Sequence, residues 1–495
     1  MSPKFQSANA ALSVSDLDRL AWSAICNWPN HTAVETVYDE IDYAELTRCF
    51  LWDKVARSIR RQAYPQQFEF EQTLLNRRSQ IAPATPHPNR LKFWLKRSLR
   101  LFSTWQDVRS LPAGKLLYVP CPHPTLQTAV STIAPLVTVI TPQGGFKQIS
   151  GIQTIRLPLL SDSPNLAQVK SLHQGIVAGL KELGIELIEQ DAIVLHHQIT
   201  QLLLRTQQIK SELSILRPDA ILLFADNHFP VQSYVLVARK KGIPTIMSQH
   251  GLDCEHYCLG EAYADVISVW GKSRLQRYQD QSTWQPAKIQ VNGNPEYDHL
   301  TLPTQLDRSG DYWLWATRPH RPEKCYIPSR NSQEGIQILE ALLAALARSP
   351  SSHLVIKPHP LDDLELYQSY IQGHSACDRV VLSSEPVRSL FPEARVVISE
   401  DSTIGLEAMF FGKIVIHAHF AASEPVMPFV SYNAAFPGYS SKMLQMALEE
   451  VEQLSEAQQH QLFAGQRRFL EDYAGVCDGQ AQARVAALIQ GVLEP

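Results

Sequence analysis

Short apolar runs alternate with longer stretches of helical spacing from about residue 114 onward. Runs of four or five apolar residues suit buried strands, and longer stretches with apolar residues three or four apart suit helices. The predicted strands of this first series are Leu116–Val119, Val137–Ile140, Ala192–Leu195, Ala220–Phe224, Thr245–Met247 and Val266–Val269. The predicted helices include Ala167–Leu183, Thr200–Leu216 and Val231–Lys241. This alternation predicts a parallel, doubly wound sheet.

A second series of the same kind begins after Gly310. Its predicted strands are Tyr312–Ala316, His353–Ile356, Arg379–Leu382, Arg395–Ile398 and Lys413–Ile416, and its clearest predicted helix is Ser332–Arg348. The intervening segment, Asn292–Asp311, is rich in turn-forming residues and is the predicted linker. We therefore expect an α/β protein with two Rossmann-like domains facing a cleft, at residues 111–300 and 301–475, followed by a C-terminal helix at 476–495.

Residues 1–110 form a predicted extension that is mostly helical. Asp16–Cys26 and Ile41–Arg61 have helical spacing, and Ile81–Asn89 is a proline-rich break. In residues 91–102, LKFWLKRSLRLF, apolar residues lie near one face of a helix and basic residues recur at every fourth position on another. Two interpretations fit. The apolar face packs on the next domain with the basic side chains in solvent, or the helix lies on an anionic membrane surface.

Length and composition narrow the class of protein. A chain of 495 residues exceeds one ordinary core, and its 44% hydrophobic and 19% charged residues are typical of soluble globular proteins. The formal net charge of −4 argues against a general nucleic-acid binder. Without a long apolar run or a signal-peptide pattern in MSPKFQSANAALS, we expect a cytoplasmic location. The eight cysteines lack metal-ligand spacing, which predicts free thiols.

The most informative stretch is Arg395–Ala418, RVVISEDSTIGLEAMFFGKIVIHA. An apolar run, a polar cluster, a run of helix formers ending at Gly412 and a second apolar run predict strand, turn, helix and strand. Ser399–Thr403 then lie at a helix N-terminus, where unpaired backbone N–H groups favour an anion. The simpler alternative is that Asp401, Ser402 or Thr403 only caps the helix.

Histidines follow four of the predicted strands, at the edge where parallel sheets bind ligands. They are His228, His250, His320 and His359. The first domain offers Asp226 and His250, which suit a general base acting on a hydroxyl group. The second domain offers a cationic and hydroxyl-bearing set that suits a nucleotide phosphate leaving group without a metal ion. Its members are Arg318, His320, Lys357, His359, Ser402 and Thr403.

One carboxylate lies within the predicted helix. Glu407 is four residues after Thr403 and therefore one turn into the helix. A carboxylate at this position suits the two hydroxyls of a ribose. Alternatively it only favours the positive end of the helix dipole.

Five segments in order resemble the GT-B glycosyltransferases of bacterial surface polysaccharide synthesis. They are KGIPTIMSQHG (241–251), ADVISVWGKSRLQRY (264–278), KIQVNGNPEYDHL (288–300), VIKPHP (355–360) and SEDSTIGLEAMFFGKIVI (399–416). The pattern is similar to capsule polysaccharide transferases, including Kdo and sialyl-type enzymes, and to the glycerophosphotransferases of teichoic acid synthesis. The segments span roughly residues 220–420, with a weaker echo at 478–489.

The resemblance implies roles for individual residues. Lys357, His359, Ser402 and Thr403 are expected to contact donor phosphate, and Glu407 to hold the ribose. His250 resembles the glycerophosphotransferase histidine near the reacting hydroxyl. In sialyl-type enzymes that role falls to an acidic residue, for which Asp226 is the nearest candidate. The base stays open between them.

The RPHR segment, residues 318–321, matches no motif of these families.

The expected function is that of a metal-independent inverting glycosyltransferase. The resemblance implies a UDP- or CMP-activated sugar as donor, a saccharide or lipid-linked acceptor, and no bound cofactor. Three alternatives remain: a nucleotide-sugar 2-epimerase, which needs no acceptor, a CDP-glycerol-type glycerophosphotransferase, and an inactive scaffold of the same fold. The resemblance does not identify the sugar.

Overall fold

The structure is a computed structural model that describes residues 14–63, 90–146, 149–157, 165–257, 260–318, 332–360, 362, 364–421 and 424–494. Of residues 14, 90–97, 332 and 333 it describes only the backbone. The first strands, β1 (Val37–Tyr38) and β2 (Ile41–Asp42), form a small antiparallel hairpin in the N-terminal region.

The first domain contains a seven-stranded sheet in which all neighbouring strands are parallel. Its strands are β3 (Leu116–Tyr118), β4 (Thr138–Pro142), β5 (Ile152–Ile155), β6 (Ala220–Leu223), β7 (Thr245–Ser248), β8 (Val266–Val269) and β9 (Lys288–Val291). The order β5-β4-β3-β6-β7-β8-β9 reverses direction between β3 and β6. Ligands of doubly wound sheets bind at such a reversal, beyond the carboxyl ends of the strands.

The second domain repeats this plan with six parallel strands. They are β10 (Tyr312–Ala316), β11 (His353–Lys357), β12 (Val380–Leu382), β13 (Ala394–Ser399), β14 (Ile414–Ala418) and β15 (Phe436–Gly438). The order β12-β11-β10-β13-β14-β15 reverses between β10 and β13. The predicted fold class, two doubly wound Rossmann-like domains of the GT-B kind with a helical N-terminal region, is confirmed.

Helices cover both sheets and build the N-terminal region. Within the described residues they are α1 (Val14–Asn27), α2 (Tyr43–Ala63), α3 (Arg90–Arg109), α4 (Gln127–Ile133), α5 (Leu166–Glu182), α6 (Glu189–Leu216), α7 (Val231–Lys240), α8 (Lys272–Gln281), α9 (Ser332–Arg348), α10 (Leu364–Gln372), α11 (Val387–Leu390), α12 (Thr403–Phe410), α13 (Ser441–Glu452), α14 (Glu456–Tyr473) and α15 (Ala481–Leu493). Short 3₁₀ turns lie at Trp28–His31, Pro124–Leu126, Pro295–Tyr297 and Cys377–Arg379.

One predicted strand is wrong, and three strands of the two parallel sheets were missed, as was the hairpin of β1 and β2. Ala192–Leu195 lies inside α6, whose buried positions continue through Leu195, Ile199 and Leu202 at helical spacing. A four-residue apolar run does not distinguish a strand from one turn of a buried helix, and here the longer periodicity decides. The strands β5, β9 and β15 were missed because only part of each is apolar.

The N-terminal helices belong to the core of the first domain. Trp28 and Phe50 are buried in the same apolar cluster as Leu180 and Leu202. The packing is close, because a Cβ atom at Gly179 would lie 2.5 Å from the carbonyl oxygen of Trp28. The extension is therefore folded onto the first sheet.

The chain crosses between the two domains a second time near its end. Helix α15 packs on the first domain, where Val485 and Ile489 are buried with Val130 and Ile133. Its first N–H groups, those of residues 481 and 482, donate to the carboxylate of Asp298 at 3.0 and 2.7 Å. A linker carboxylate thus caps the C-terminal helix.

Helix α3 includes all of residues 91–102, as predicted. Three of its apolar side chains, Leu99, Phe102 and Trp105, are 68%, 56% and 46% exposed, whereas Leu101 and Val108 are half-buried. The side facing the first domain carries Val108, which packs on that domain's core, and Arg100, whose Nε donates to the carbonyl of Leu157 at 3.0 Å. Of the predicted apolar face, Phe102 is exposed and Leu101 is half-buried, and the side chains of Leu91, Trp94 and Leu95 lie outside the described ones. Within the described ranges, no helix is both long and apolar enough to cross a membrane.

Candidate functional site

A loop from the first domain reaches the second domain at the carboxyl ends of the strands. We call residues 249–257, which follow β7, the bridging loop. Its Leu252 N–H donates to Thr403 Oγ1 at 3.1 Å, and His256 Nε2 lies 2.9 Å from the carbonyl oxygen of Glu424. Its far end packs on the N-terminal helices, since the rings of Tyr257 and Trp52 are 4.9 Å apart. The loop therefore places His250 beside the junction of the two domains.

His250 lies in a cluster of aromatic rings in the first domain. Its Nδ1 lies 3.0 Å from the carbonyl oxygen of Phe224, so this nitrogen carries a hydrogen and Nε2 carries the lone pair of the neutral ring. The rings of His123 and His228 are 5.5 and 6.3 Å away. Burial, and then these two neighbours, lower the pKa of His250 to about 3. The imidazole is therefore neutral at physiological pH.

Asp226 is in a different environment from His250. It is completely buried, and its Oδ2 accepts a hydrogen bond from the Ala264 N–H at 2.9 Å. Burial raises the pKa of Asp226 to about 6, although Ala264 and Arg274 act in the opposite direction. A carboxylate without exposed surface is not placed to take a proton from an acceptor, so the structure does not favour Asp226 as the base.

Arg318 lies two residues after the end of β10 and is held by the bridging loop. Its Nη2 donates to Glu255 Oε1 at 2.7 Å and to the Cys254 carbonyl at 3.4 Å. Glu255 was missed by sequence reasoning, because nothing along the chain pairs it with a residue 63 positions away. His320, the next cation predicted for this site, lies outside the described residues.

The KPHP loop, residues 357–360, follows β11 and is fixed through its backbone. The His359 N–H donates to Thr317 Oγ1 at 2.9 Å and to Asp362 Oδ2 at 3.1 Å. Lys357 and His359 are both partly exposed at this edge of the sheet. Because β10 and β11 are adjacent parallel strands, the KPHP loop and Arg318 lie at the same edge of the second sheet.

Ser402 and Thr403 begin α12, and both hydroxyl oxygens have protein partners. Ser402 Oγ accepts from the Ile404 N–H at 3.3 Å, so Ser402 caps the helix as the simpler alternative expected. Thr403 Oγ1 accepts from the bridging loop. In each case the oxygen accepts, so the hydroxyl hydrogen remains available for an anion.

Glu407 is bound by Arg388 of the second domain and by Tyr297 of the linker. Its Oε1 accepts from Arg388 Nη2 at 2.8 Å and from the Tyr297 hydroxyl at 3.1 Å, and its Oε2 accepts from Arg388 Nε at 3.3 Å. Its carboxylate therefore does more than favour the helix dipole. Binding of ribose by Glu407 stays a prediction.

A second group missed by sequence reasoning surrounds Asp401. Its two carboxylate oxygens each lie 3.2 Å from an imidazole nitrogen, Nε2 of His417 and Nδ1 of His419. Burial alone raises the pKa of Asp401, but the hydrogen bonds from both histidines, with Arg318, hold it well below its ordinary value. The sequence does contain a signal for this group. His417 and His419 are two residues apart, and residues two apart on a strand share one face, so both side chains can reach the same partner.

A cavity of about 310 Å³ lies beside the bridging loop and is lined by both domains. The lining residues include Gln249, His256 and Arg277 of the first domain and Met427 and Tyr473 from the second half of the chain. A molecule bound there would contact both domains.

Comparison with known proteins gives a family match over part of the chain. The profile of the capsule polysaccharide biosynthesis protein family matches residues 326–422, which include Lys357, His359, Ser402, Thr403 and Glu407. The resemblance to capsule polysaccharide proteins is thus confirmed for this part of the chain. No curated protein sequence gives a significant match.

Solved structures with a similar fold have low sequence identity to this chain. S. aureus MnaA in complex with UDP is 15% identical with a TM-score of 0.49, covering 77% of this chain and 97% of that one. The wall teichoic acid polymerase TagF is 11% identical with a TM-score of 0.44, covering 87% and 98%. Sucrose-phosphate synthase from Thermosynechococcus elongatus is 12% identical with a TM-score of 0.44, covering 77% and 100%.

Proposed function

We propose that this protein is a metal-independent inverting glycosyltransferase that uses a UDP- or CMP-activated sugar to build a cell-surface polysaccharide or glycolipid. One observation carries the proposal. The cationic strand ends of the second domain and the start of α12 meet the bridging loop of the first domain, which also carries His250. The family match over residues 326–422 supports the polysaccharide context.

The second domain holds the donor phosphate in this proposal. Arg318, Lys357 and His359 supply positive charge, and the N–H groups and hydroxyls at Ser402 and Thr403 supply hydrogen bonds. These groups stabilise the negative charge that develops on the phosphate as the bond to the sugar carbon breaks. No metal ion is needed for this step.

His250 is the general base in this proposal. Its Nε2 takes the proton of the acceptor hydroxyl as that oxygen attacks the sugar carbon from the side opposite the phosphate, which inverts the configuration. A base with a pKa near 3 is weak on its own. The negative donor phosphate favours the imidazolium form and raises that pKa when both substrates are present.

The acceptor in this proposal is a saccharide or a lipid-linked molecule, reached from the cytoplasmic side of the membrane. The exposed apolar side chains of α3, together with the basic residues of the same helix, support peripheral contact with an anionic membrane surface.

A thermal-shift panel of UDP, CMP, CDP and GDP tests the donor site. We expect one nucleotide to stabilise the protein, by about 2.7 kcal/mol at a hundred times its dissociation constant. His359→Ala and Ser402→Ala should reduce that stabilisation. Ser455→Ala is the matched control, because Ser455 caps α14 in the same way and comes just after α13, whose Glu452 pairs with Arg395 at the start of β13, the end of that strand opposite to the cleft. No stabilisation of the wild type, or equal responses of Ser402→Ala and Ser455→Ala, would contradict the site.

Incubation with donor alone separates the transferase from the epimerase. A nucleotide-sugar 2-epimerase converts UDP-N-acetylglucosamine to its epimer without an acceptor. We expect no epimer, and its appearance would overturn the transfer reaction.

A further inference from the structure

Arg318 and Glu255 form an ion pair that joins the two domains at the candidate donor site. Arg318 follows β10 of the second domain, and Glu255 belongs to the bridging loop of the first. The guanidinium Nη2 and the carboxylate Oε1 are 2.7 Å apart, and the two side chains are only 18% and 20% exposed. The pair is thus sheltered from solvent, where the attraction between opposite charges is stronger than at an open surface.

The surroundings of Glu255 contain charges of both signs. Burial raises the pKa of Glu255 to about 7, and the negative Asp401 acts in the same direction. Arg318 and Arg277 act in the opposite direction. Arg277 also donates to the backbone carbonyl of Glu255 at 2.7 Å, which fixes the loop independently of the Glu255 side chain. The loop is therefore held in place even when the carboxylate changes partner.

We propose that Glu255 is an exchangeable anion on Arg318: the phosphate of the nucleotide donor replaces the Glu255 carboxylate as the partner of the guanidinium. The inference rests on the proposed donor site and adds a residue from the opposite domain to it. Both anions suit the same planar set of N–H donors. Glu255 therefore competes with the donor and restrains Arg318 until a phosphate arrives.

The exchange is coupled to a proton. When the phosphate pairs with Arg318, the Glu255 carboxylate no longer has the guanidinium as its partner and has a negative group nearby. Both changes raise the pKa of Glu255. A carboxyl group that titrates near neutrality then takes up a proton from solvent as the donor binds. By linkage, nucleotide affinity increases as pH falls through this range.

The test is nucleotide affinity of the full-length Glu255→Gln variant, measured by calorimetry with whichever of UDP, CMP, CDP and GDP stabilises the wild type. Glutamine keeps the shape of the side chain but removes the competing charge, so we expect binding about tenfold tighter. Arg318→Ala should weaken binding, and Glu255→Gln should have no further effect in that background. Glu452→Gln is the matched control, since Glu452 pairs with Arg395 at the far end of the second sheet.

Proton uptake provides a second readout. Calorimetry in buffers of different ionisation enthalpy should show less proton uptake for Glu255→Gln than for the wild type between pH 7 and 8. The nucleotide's own phosphate titrates equally in both measurements. Unchanged or weaker binding by Glu255→Gln would overturn the exchange while leaving the donor site intact. Absence of nucleotide binding in the wild type would overturn both.

Discussion

Asp226 and His250 both follow strands of the first sheet, but their side chains have different surroundings. The Asp226 carboxylate is bound to the backbone of residue 264 and has no exposed surface, whereas His250 is partly exposed on the bridging loop. Because each follows a predicted strand, both were candidates for the general base. Only the packing of the chain after residue 260 shows which of them is covered.

Asp226→Asn separates a buried structural role from a catalytic one. Asparagine still accepts from the Ala264 N–H, so we expect transfer with the donor found in the panel to stay within a few fold of wild type. The raised pKa of Asp226, about 6 against an ordinary 3.8, makes its stabilising contribution complete below pH 4 and lost as pH rises through 6. Asp226→Asn has no carboxyl group to ionise, so its free energy of unfolding does not fall in this way as pH rises.

Denaturant unfolding at pH 4.5 and 8 checks the expectation for Asp226. The wild type should lose free energy of unfolding relative to Asp226→Asn between these two pH values. His250→Ala is the activity control, for which we expect kcat to fall by roughly two to four orders of magnitude. A comparable loss of kcat in Asp226→Asn would instead make Asp226 the base.

The unit of β13, α12 and β14 shows how well the local pattern of apolar and polar residues predicts individual helices and strands. Gly412 ends the helix with a φ of +67°, a conformation that suits glycine, and the helix and strand bounds lie within a few residues of the prediction. The pattern also placed Ser402 and Thr403 at the helix start. It did not show that Thr403 accepts a hydrogen bond from residue 252 of the other domain.

Helix α3 is the element that we predict to contact an anionic membrane surface. Phe102 and Trp105 are stacked on an exposed face, with ring centroids 6.1 Å apart. We expect sedimentation with vesicles containing anionic lipid, and its loss in the variant Phe102→Ser with Trp105→Ser, because apolar burial drives interfacial binding.

Charge reversal at Lys92, Lys96 and Arg97 to Glu should also abolish sedimentation of the protein with vesicles. Arg100 is left unchanged because it holds the helix to Leu157. Vesicles of neutral lipid are the control. Equal sedimentation of wild type and both variants would contradict the membrane contact.

At the scale of the whole molecule, the return of the chain to the first domain determines its architecture. Helix α15 completes the apolar layer over α4, and Asp298 of the linker caps it. The two segments that join the domains therefore lie side by side, and any movement of one domain against the other involves both.

Ile489→Ala tests the contribution of this returning helix. The side chain is fully buried against the first domain, so we expect a loss of about 2–5 kcal/mol in the free energy of unfolding. Val476→Ala is the control, because Val476 is 66% exposed and should change stability by less than about 0.5 kcal/mol. Denaturant unfolding measures both variants. Equal stability of the two would show that α15 is not part of the first domain's core.

The sequence by itself determined most of the elements, their alternation and the two parallel sheets, because the spacing of apolar residues and the turn chemistry are local properties of the chain. It also located Ser402, Thr403 and the KPHP loop at strand ends. The failure at Ala192–Leu195 has the same origin, since four apolar residues fit either a strand or a helix. Only the tertiary structure decided that Asp226 is covered, that Glu255 meets Arg318, that two histidines share Asp401 and that α15 returns to the first sheet. These contacts join residues far apart in sequence, and their geometry depends on how both domains pack.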